Sequence, residues 1–324
     1  MWYKEILNDS DVVVSSRVRY ARNISNYKFV NLLNEKEFND IIELIEKSIN
    51  KNKYKLLNMK NIDEVTQNSL KEEYLISKEF VGNDNGAIIT NEDNSLVCMV
   101  NEEDHLRMQA FCSGLNIDEC YKKLKEFNDE LERKINFSKS EKYGYLTACP
   151  TNAGSGMRVS LMLHLPALKE SGMLSQVLEQ VNNIGFSVRG IYGENSNSIG
   201  NMYQISNRKT LGLTDKEIID NLKIVVTSII EAERKARNIL KENISFKDSV
   251  YRALGILKNA RLITVNEAMG LLSNVRLGIS TNIISEVTLD KIQSLMIEIQ
   301  KNTLKLLIKE DFDSKEENIF RADY

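Results

Sequence analysis

The pattern of apolar residues changes character at Gly212, and that change limits what the chain can fold into. Before it, short apolar or β-branched runs interrupt helical stretches in no regular order. Residues 34–49 place Phe38, Ile42, Ile45 and Ile49 on one stripe behind an Asn34/Glu37 capping box, which predicts a helix. Gly86–Thr90 and Ser95–Asn101 flank the turn-like Asn91–Asn94 and predict a hairpin. Residues 117–135 return to helical spacing through Tyr121, Leu124, Leu131 and Ile135. Tyr143–Cys149, Phe186–Tyr192 and Met202–Ser206 read as further strands. Such a mixture without βαβ alternation argues for an α+β fold and against a doubly wound one.

After Gly212 strand signals nearly vanish. Thr214 and Glu217 form a capping box ahead of Ile218, Leu222, Val225, Ile229, Ala236 and Leu240 at helical spacing. Thr264 and Glu267 open another helix, and a third is predicted from about Leu289 to Leu307. The expected division is therefore an α+β domain over residues 1–212 and a helical domain over residues 213–324.

Charge and cysteines exclude several classes. With 43 Lys and Arg against 46 Asp and Glu, the formal net charge is −3, which offers nothing to nucleic acid. No apolar run approaches the ~18 residues that span a bilayer, and MWYKEILNDS lacks a signal-peptide apolar core. Four cysteines without CxxC spacing and two histidines, His105 and His164, argue against a zinc site and a disulfide framework. The expectation is a reduced, cytoplasmic protein.

Three polar clusters fit poorly with simple core or surface roles: Ser15-Ser-Arg-Val-Arg19; Asn101-Glu-Glu-Asp-His-Leu-Arg107; and Cys149-Pro-Thr-Asn-Ala-Gly-Ser-Gly-Met-Arg158, with Arg189-Gly-Ile-Tyr-Gly-Glu194 beyond. In a strand, Arg17 and Arg19 point to the same side, and two adjacent cations call for an anion. Arg107, Arg158 and Arg189 each follow a strand or Gly-rich turn, so five guanidiniums could surround a triphosphate. Gly154 and Gly156 would let backbone N–H groups approach it. A Walker motif is excluded, because the chain has no Gly-Lys pair. Glu102, Glu103 and Asp104 follow an apolar strand, and Glu194 ends a Gly-flanked turn. Two carboxylates can grip a guanidinium by its N–H fork and take up its proton during attack. Beside arginines, Cys149 could help as a thiolate, although most cysteines so placed are inert. The bland alternatives are surface salt bridges for the arginines and a solvated turn for the acidic trio. His105 and His164 read as structural.

In this order, SSRVR, NEEDHLR, CPTNxGxGxR and RGxxGE resemble the phosphagen (guanidino) kinases, and within them the bacterial protein-arginine kinases of the McsB type. MLHLPAL, GNMYQISNRKTLG and VYRALGIL extend the resemblance over nearly the whole chain. It implies an antiparallel sheet flanked by helices, followed by a helical C-terminal domain for dimerisation and substrate docking. It implies ATP with Mg²⁺ as donor. It implies nucleotide contacts from Ser15, Ser16, Arg17, Val18 and Arg19, from Tyr74 and Arg107, from Arg158, Val159, Ser160, Leu161 and Met162, and from Arg189, Gly190, Ile191, Tyr192, Gly193 and Glu194. Glu103, Glu194 and Cys149 match its catalytic positions. Tyr74 stands where the family has a histidine. The family's C-terminal phosphoarginine-sensing motif survives only as Glu317, Asn318, Arg321 and Ala322, its leading Arg-Asp being Glu-Asn here. SSRVR begins at Ser15, without the helical cover that precedes it in kinases of small guanidino compounds, so the resemblance implies arginines carried on proteins. It also implies a homodimer, a zinc-binding activator of the McsA type, a stress-gene repressor, and a Clp-type protease. Two other readings stay open on the residues: a kinase of free arginine or another small guanidine, and a non-enzymatic adaptor.

Overall fold

The structure, a computed structural model, describes residues 1–190 and 198–324. Its strands are β1 (Val13–Arg22), β2 (Lys55–Asn58), β3 (Ala87–Thr90), β4 (Leu96–Val100), β5 (Leu106–Ser113), β6 (Lys139–Ser140), β7 (Gly144–Tyr145), β8 (Met157–His164), β9 (Phe186–Gly190) and β10 (Met202–Asn207). Among the described residues, eight of these form one antiparallel sheet in the order β2-β3-β4-β5-β1-β8-β10-β9. The helices are α1 (Glu35–Ser48), α2 (Glu64–Glu72), α3 (Ile117–Glu132), α4 (Pro166–Glu170), α5 (Leu174–Asn183), α6 (Asp215–Leu240), α7 (Ile244–Asn259), α8 (Val265–Ser280), α9 (Leu289–Glu298), α10 (Lys301–Ile308) and α11 (Glu317–Asp323). This is the expected α+β arrangement with a helical C-terminal part. No helix among the described residues is long and apolar enough to cross a membrane.

Alternation along the strands sorts the residues into two faces. Val18 and Tyr20 of β1, Leu106, Met108 and Ala110 of β5, and Val159, Leu161 and Leu163 of β8 belong to the main core with α1, α3 and α6. On the other face, a smaller cluster of Trp2, Tyr3, Phe80, Ile88, Val97 and Met99 covers the β3–β4 end. Helices α7, α8 and α9 form a third cluster, reaching Val14 and Met202. The middle of that face, over β5, β1, β8 and β10, carries the polar residues.

Both predicted capping boxes form, at Asn34/Glu37 and Thr214/Glu217. The predicted strand at Tyr143–Cys149 shrinks to Gly144–Tyr145. The helix expected from Leu289 to Leu307 breaks into α9 and α10, because Gln300 is extended and α2 supplies a foreign cap. Glu72 accepts from the backbone N–H of Asn302 at 3.0 Å and of Thr303 at 2.8 Å, and from the Thr303 hydroxyl at 2.9 Å. A carboxylate on free helix-end donors is favourable twice over, by hydrogen bonding and by the helix dipole. Glu72→Ala is expected to destabilise the protein by about 1–2 kcal/mol, measured by denaturant unfolding. An unchanged midpoint would show that the cap is dispensable.

Helix α6 lies beyond residue 212, yet Ile218, Leu222, Val226, Ile229 and Ile230 are part of the sheet's core. Its Arg234 also bonds Asp9 and Asp11 at the start of the chain.

Candidate active site

Pairing register places the arginines. Across β1 and β8, Arg19 stands opposite Arg158 and Arg17 opposite Ser160. Across β1 and β5, Arg17, Arg19 and Ala21 stand opposite Phe111, Gln109 and Arg107. On β10, Gln204 and Ser206 face Met162 and Ser160, and Arg189 of β9 faces Gln204. Directly paired residues point to the same side of a sheet. Arg17, Arg19, Arg107, Arg158 and Arg189, drawn from four strands, therefore share one face with Ser15, Ser160 and Met162. Gly190 closes β9 beside Arg189. The predicted residues Ile191, Tyr192, Gly193 and Glu194 lie outside the described residues.

Four neighbours set the aim of these guanidiniums. Arg17 donates from Nε to Ser160 Oγ at 3.2 Å and from Nη2 to Gln204 Oε1 at 3.0 Å. Arg158 donates to Ser206 Oγ at 3.1 Å. Arg107 pairs with Glu102 at 2.6 Å, and Glu102 also accepts from Ser77 Oγ at 2.5 Å. The Arg19 Nε is buried without a hydrogen-bond partner. Burial, followed by repulsion from Arg107 and Arg158, pulls Arg17 down to about 9. Burial, then Arg107, Arg17 and Arg158, holds Arg19 well below the usual guanidinium range. Buried, crowded cations that repel one another fit a polyanion, since an anion offsets both penalties at once.

Other predicted contacts are turned away. Val18, Val159 and Leu161 are fully buried in the core on the opposite face. Ser16 Oγ donates to Gly114 O at 2.7 Å and accepts from Asn116 N at 2.9 Å, fixing the chain that enters α3. The glycines of the third cluster also serve the chain itself. Gly154 N donates to Tyr145 O and Ser155 N to Thr210 O, so these amides do not face an anion. Gly156, at φ +65°, lies so close to Ala21 O that a Cβ would meet it at 2.8 Å. Close backbone packing accounts for both glycines.

The acidic trio divides its labour. Although burial opposes its charge, Glu102 is held below the ordinary carboxylate range by Arg107 and Ser77. Asp104 turns inward and accepts from Asn23 Nδ2 at 2.6 Å and Ala148 N at 2.7 Å. It thereby fastens this loop to the segment carrying Cys149. Glu103 is left exposed, accepting from Asn152 Nδ2 at 3.3 Å. The partial desolvation of its carboxylate, then Asp104 and Glu102, raises its affinity for a proton. Cys149 is half-buried, with Sγ 3.0 Å from Thr151 Oγ1. A proton-hungry carboxylate and a thiol thus sit on two tethered loops. His105 supports them structurally: Nδ1 accepts from Ile24 N at 2.9 Å and the ring's other nitrogen meets Lys28 O. His164 is fully buried against Ser273.

Tyr74, with φ +63°, lines a cavity beside Arg17 and Phe111. In the helical C-terminal part, Arg321 is buried and spends its donors on Ile299 O, Ile263 O, Asn318 Oδ1 and Glu317. Ala322 lines a separate pocket among α7, α8 and α9. Gln204 and Ser206 were not expected in the site, yet their alternate spacing in the Met202–Ser206 strand already marks a polar face.

The sequence matches two families: ATP:guanido phosphotransferase, C-terminal catalytic domain, over residues 36–236, and protein-arginine kinase McsB C-terminal domain over residues 243–324. A protein-arginine kinase of Clostridium acetobutylicum is 39% identical over 100% of this chain and 97% of its own. That of Caldanaerobacter subterraneus is 41% identical over 98% and 96%. Among solved structures, a duplicated taurocyamine kinase from Schistosoma mansoni, with bound transition state analog components, aligns with a TM-score of 0.64 at 25% identity. It covers 71% of this chain, which spans only 34% of that duplicated one. A lombricine kinase aligns at 0.62 and 21% identity, over 70% of this chain and 67% of its own, and speaks for the fold. By matches that run through both its parts, the chain belongs to the ATP:guanido phosphotransferase family, in its protein-arginine kinase branch.

Proposed function

We propose that this chain transfers the γ-phosphoryl group of ATP to a guanidinium nitrogen of arginine residues in proteins, with the five-arginine face as its phosphate cradle. The observation that carries this reading is the register that gathers Arg17, Arg19, Arg107, Arg158 and Arg189 on one face, beside a loop bearing Glu103. ATP's phosphates rest among the five guanidiniums, with Tyr74, Ser15, Ser160 and Met162 alongside. Magnesium neutralises phosphate charge when bound. Glu103, with Cys149 and Glu194, orients the incoming guanidinium in line with the γ-phosphorus. A nitrogen–phosphorus bond forms, the bond to the bridging β,γ-oxygen breaks, and the nitrogen's proton passes to Glu103. ADP and phosphoarginine leave. Positioning and fixed charge supply most of the acceleration.

The same reading extends to the setting. The protein works in the cytoplasm as a homodimer, its residues 213–324 serving dimerisation and substrate docking. A zinc-binding activator of the McsA type, a stress-gene repressor and a Clp-type protease are its partners. Arg321 is consumed by its own helix and by backbone carbonyls, so activation by phosphoarginine at that motif is weak or absent.

Two measurements test the activity. Incubation with ATP and either an unfolded protein or free arginine, followed by phosphorus NMR, is expected to give a phosphoramidate signal on the protein only. Signal on free arginine instead would make it a small-guanidine kinase, and no signal with ATP still bound would make it an adaptor. The raised proton affinity of Glu103 fixes a pH dependence. The group must be ionised to accept a proton, so kcat/KM falls with decreasing pH, starting above the ordinary carboxylate range. Asp104→Asn removes one cause of the rise and is expected to move that acidic limb to lower pH. A limb that stays in place would assign it to another group.

A further inference from the structure

Arg22 ends the same strand as Arg17 and Arg19 but faces the other way. Alternation along β1 turns Arg17, Arg19 and Ala21 to the phosphate face, and Val18, Tyr20 and Arg22 to the opposite one. Arg22 is only 2% exposed. Among the described residues its hydrogen bonds go to neutral acceptors: from Nε to Asn128 Oδ1 at 3.0 Å, and from Nη1 to Ala21 O at 2.8 Å and Ser155 O at 3.0 Å. Its guanidinium carbon lies 3.4 Å from the centre of the Tyr145 ring and 4.2 Å from that of Tyr20. Both hydroxyls donate to carboxylates, Tyr145 to Glu132 at 2.9 Å and Tyr20 to Asp215. The cation is therefore held between two electron-rich rings.

What this guanidinium grips is the loop between β7 and β8, which carries Cys149 and Asn152. Nη1 holds Ser155 O at one end of the loop. Tyr145, the ring it stacks on, exchanges both backbone hydrogen bonds with Gly154, at 2.8 and 3.2 Å. A Cβ on Gly156 would stand 2.5 Å from Arg22 Nη1, so the glycine also makes room for the guanidinium. The next residue in the chain completes the grip. Asn23 Nδ2 donates to Leu146 O at 3.1 Å, at the loop's other end, and to Asp104 Oδ1 at 2.6 Å. Asn23 Oδ1 accepts from His105 N at 2.9 Å. Two consecutive residues thus fasten the Cys149 loop to the loop of Glu103, and the two loops meet where Asn152 donates to Glu103. Between Leu146 and Ser155 only Thr147 is buried. Packing does little to place this loop, and the anchors at its ends decide where Cys149 and Asn152 stand. We propose that Arg22 is the positioning residue for the acceptor half of the site, fixing the Cys149 loop against Glu103 and so setting where the incoming guanidinium sits. Its effect on turnover rests on the phosphoryl-transfer reading; its hold on the loop does not.

Arg22→Lys keeps the charge and loses the planar fork that spans Ala21 O and Ser155 O. In the full-length variant, KM for an arginine-bearing protein is expected to rise and kcat/KM for it to fall about 10²-fold, the cost of a small misplacement of the reacting groups. The dissociation constant of magnesium–ATP, measured by calorimetry, is expected to stay unchanged. Iodoacetamide labelling, resolved for each cysteine by mass spectrometry, reads the loop directly. Cys149 is half-buried while Cys98, Cys112 and Cys120 are buried, so a freed loop speeds labelling at Cys149 alone. Faster labelling at all four cysteines would make Arg22 a general prop of the fold, and weakened ATP binding would make it a phosphate ligand. Either result overturns the proposal, as does an unchanged Cys149 rate or an unchanged kcat/KM. Where Arg22→Lys does not fold, Tyr145→Leu removes the closer ring, keeps the backbone pairing with Gly154, and is expected to give the same pattern. If the unaltered protein transfers no phosphoryl group to proteins, the functional reading fails, and the labelling rates alone decide whether Arg22 holds the loop.

Discussion

Glu103→Gln is expected to lose about 10²–10⁴-fold in kcat while binding ATP as before, the range over which a positioned base contributes to catalysis. The change keeps the side chain's size and its contact with Asn152, and it leaves untouched Asp104, which tethers the loop. What it removes is the ability to take a proton from an attacking guanidinium, whose own pKa lies above ~12. Glu102 cannot stand in, because Arg107 and Ser77 already claim its carboxylate. Single-turnover phosphoryl transfer, with nucleotide affinity measured separately by calorimetry, separates the two effects. Near-normal turnover in this variant would remove Glu103 from the mechanism.

Arg19→Met is expected to separate function from stability in opposite directions. Arg19 is pressed between Arg17 and Arg158 on neighbouring positions, its Nε unpartnered and its charge opposed by burial and by three cations. A methionine of similar length removes that repulsion, so the folded protein is expected to gain roughly 1 kcal/mol, visible as a higher melting temperature. Activity is expected to fall about 10³-fold or more, the effect of losing an arginine that stabilises a transferring phosphoryl group. Stability is given up at this site to build a charge field that only an anion satisfies. A variant that is both less stable and fully active would refute this account of the residue.

How legible the site was depends on whether its geometry is local. Arg17 and Arg19 are two residues apart in a strand, so their shared face could be read directly from the sequence. That Arg158 stands opposite Arg19, and Arg107 opposite Ala21, is a matter of register between strands distant in the chain. Only the order of the motifs hinted at it. The glycines at 154 and 156 show the same limit: a φ-positive glycine signals close approach, and the sequence does not say to what. An added Cβ would meet the backbone of Thr210 at Gly154 and of Ala21 at Gly156. The capping boxes at Asn34 and Thr214 were readable because both partners sit within one turn. The break between α9 and α10 was not, because its cap arrives from Glu72, about 230 residues earlier. The texture change at Gly212 correctly announced helices. It did not reveal that the first of them packs into the sheet's core, since an apolar stripe names no partner.

The most direct test of the central claim is a crystal structure of the full chain with ADP, magnesium and an arginine-bearing peptide. The account predicts the nucleotide's phosphates among Arg17, Arg19, Arg107, Arg158 and Arg189, with the peptide guanidinium against Glu103. Phosphates bound elsewhere, with those five guanidiniums facing solvent or one another, would contradict it.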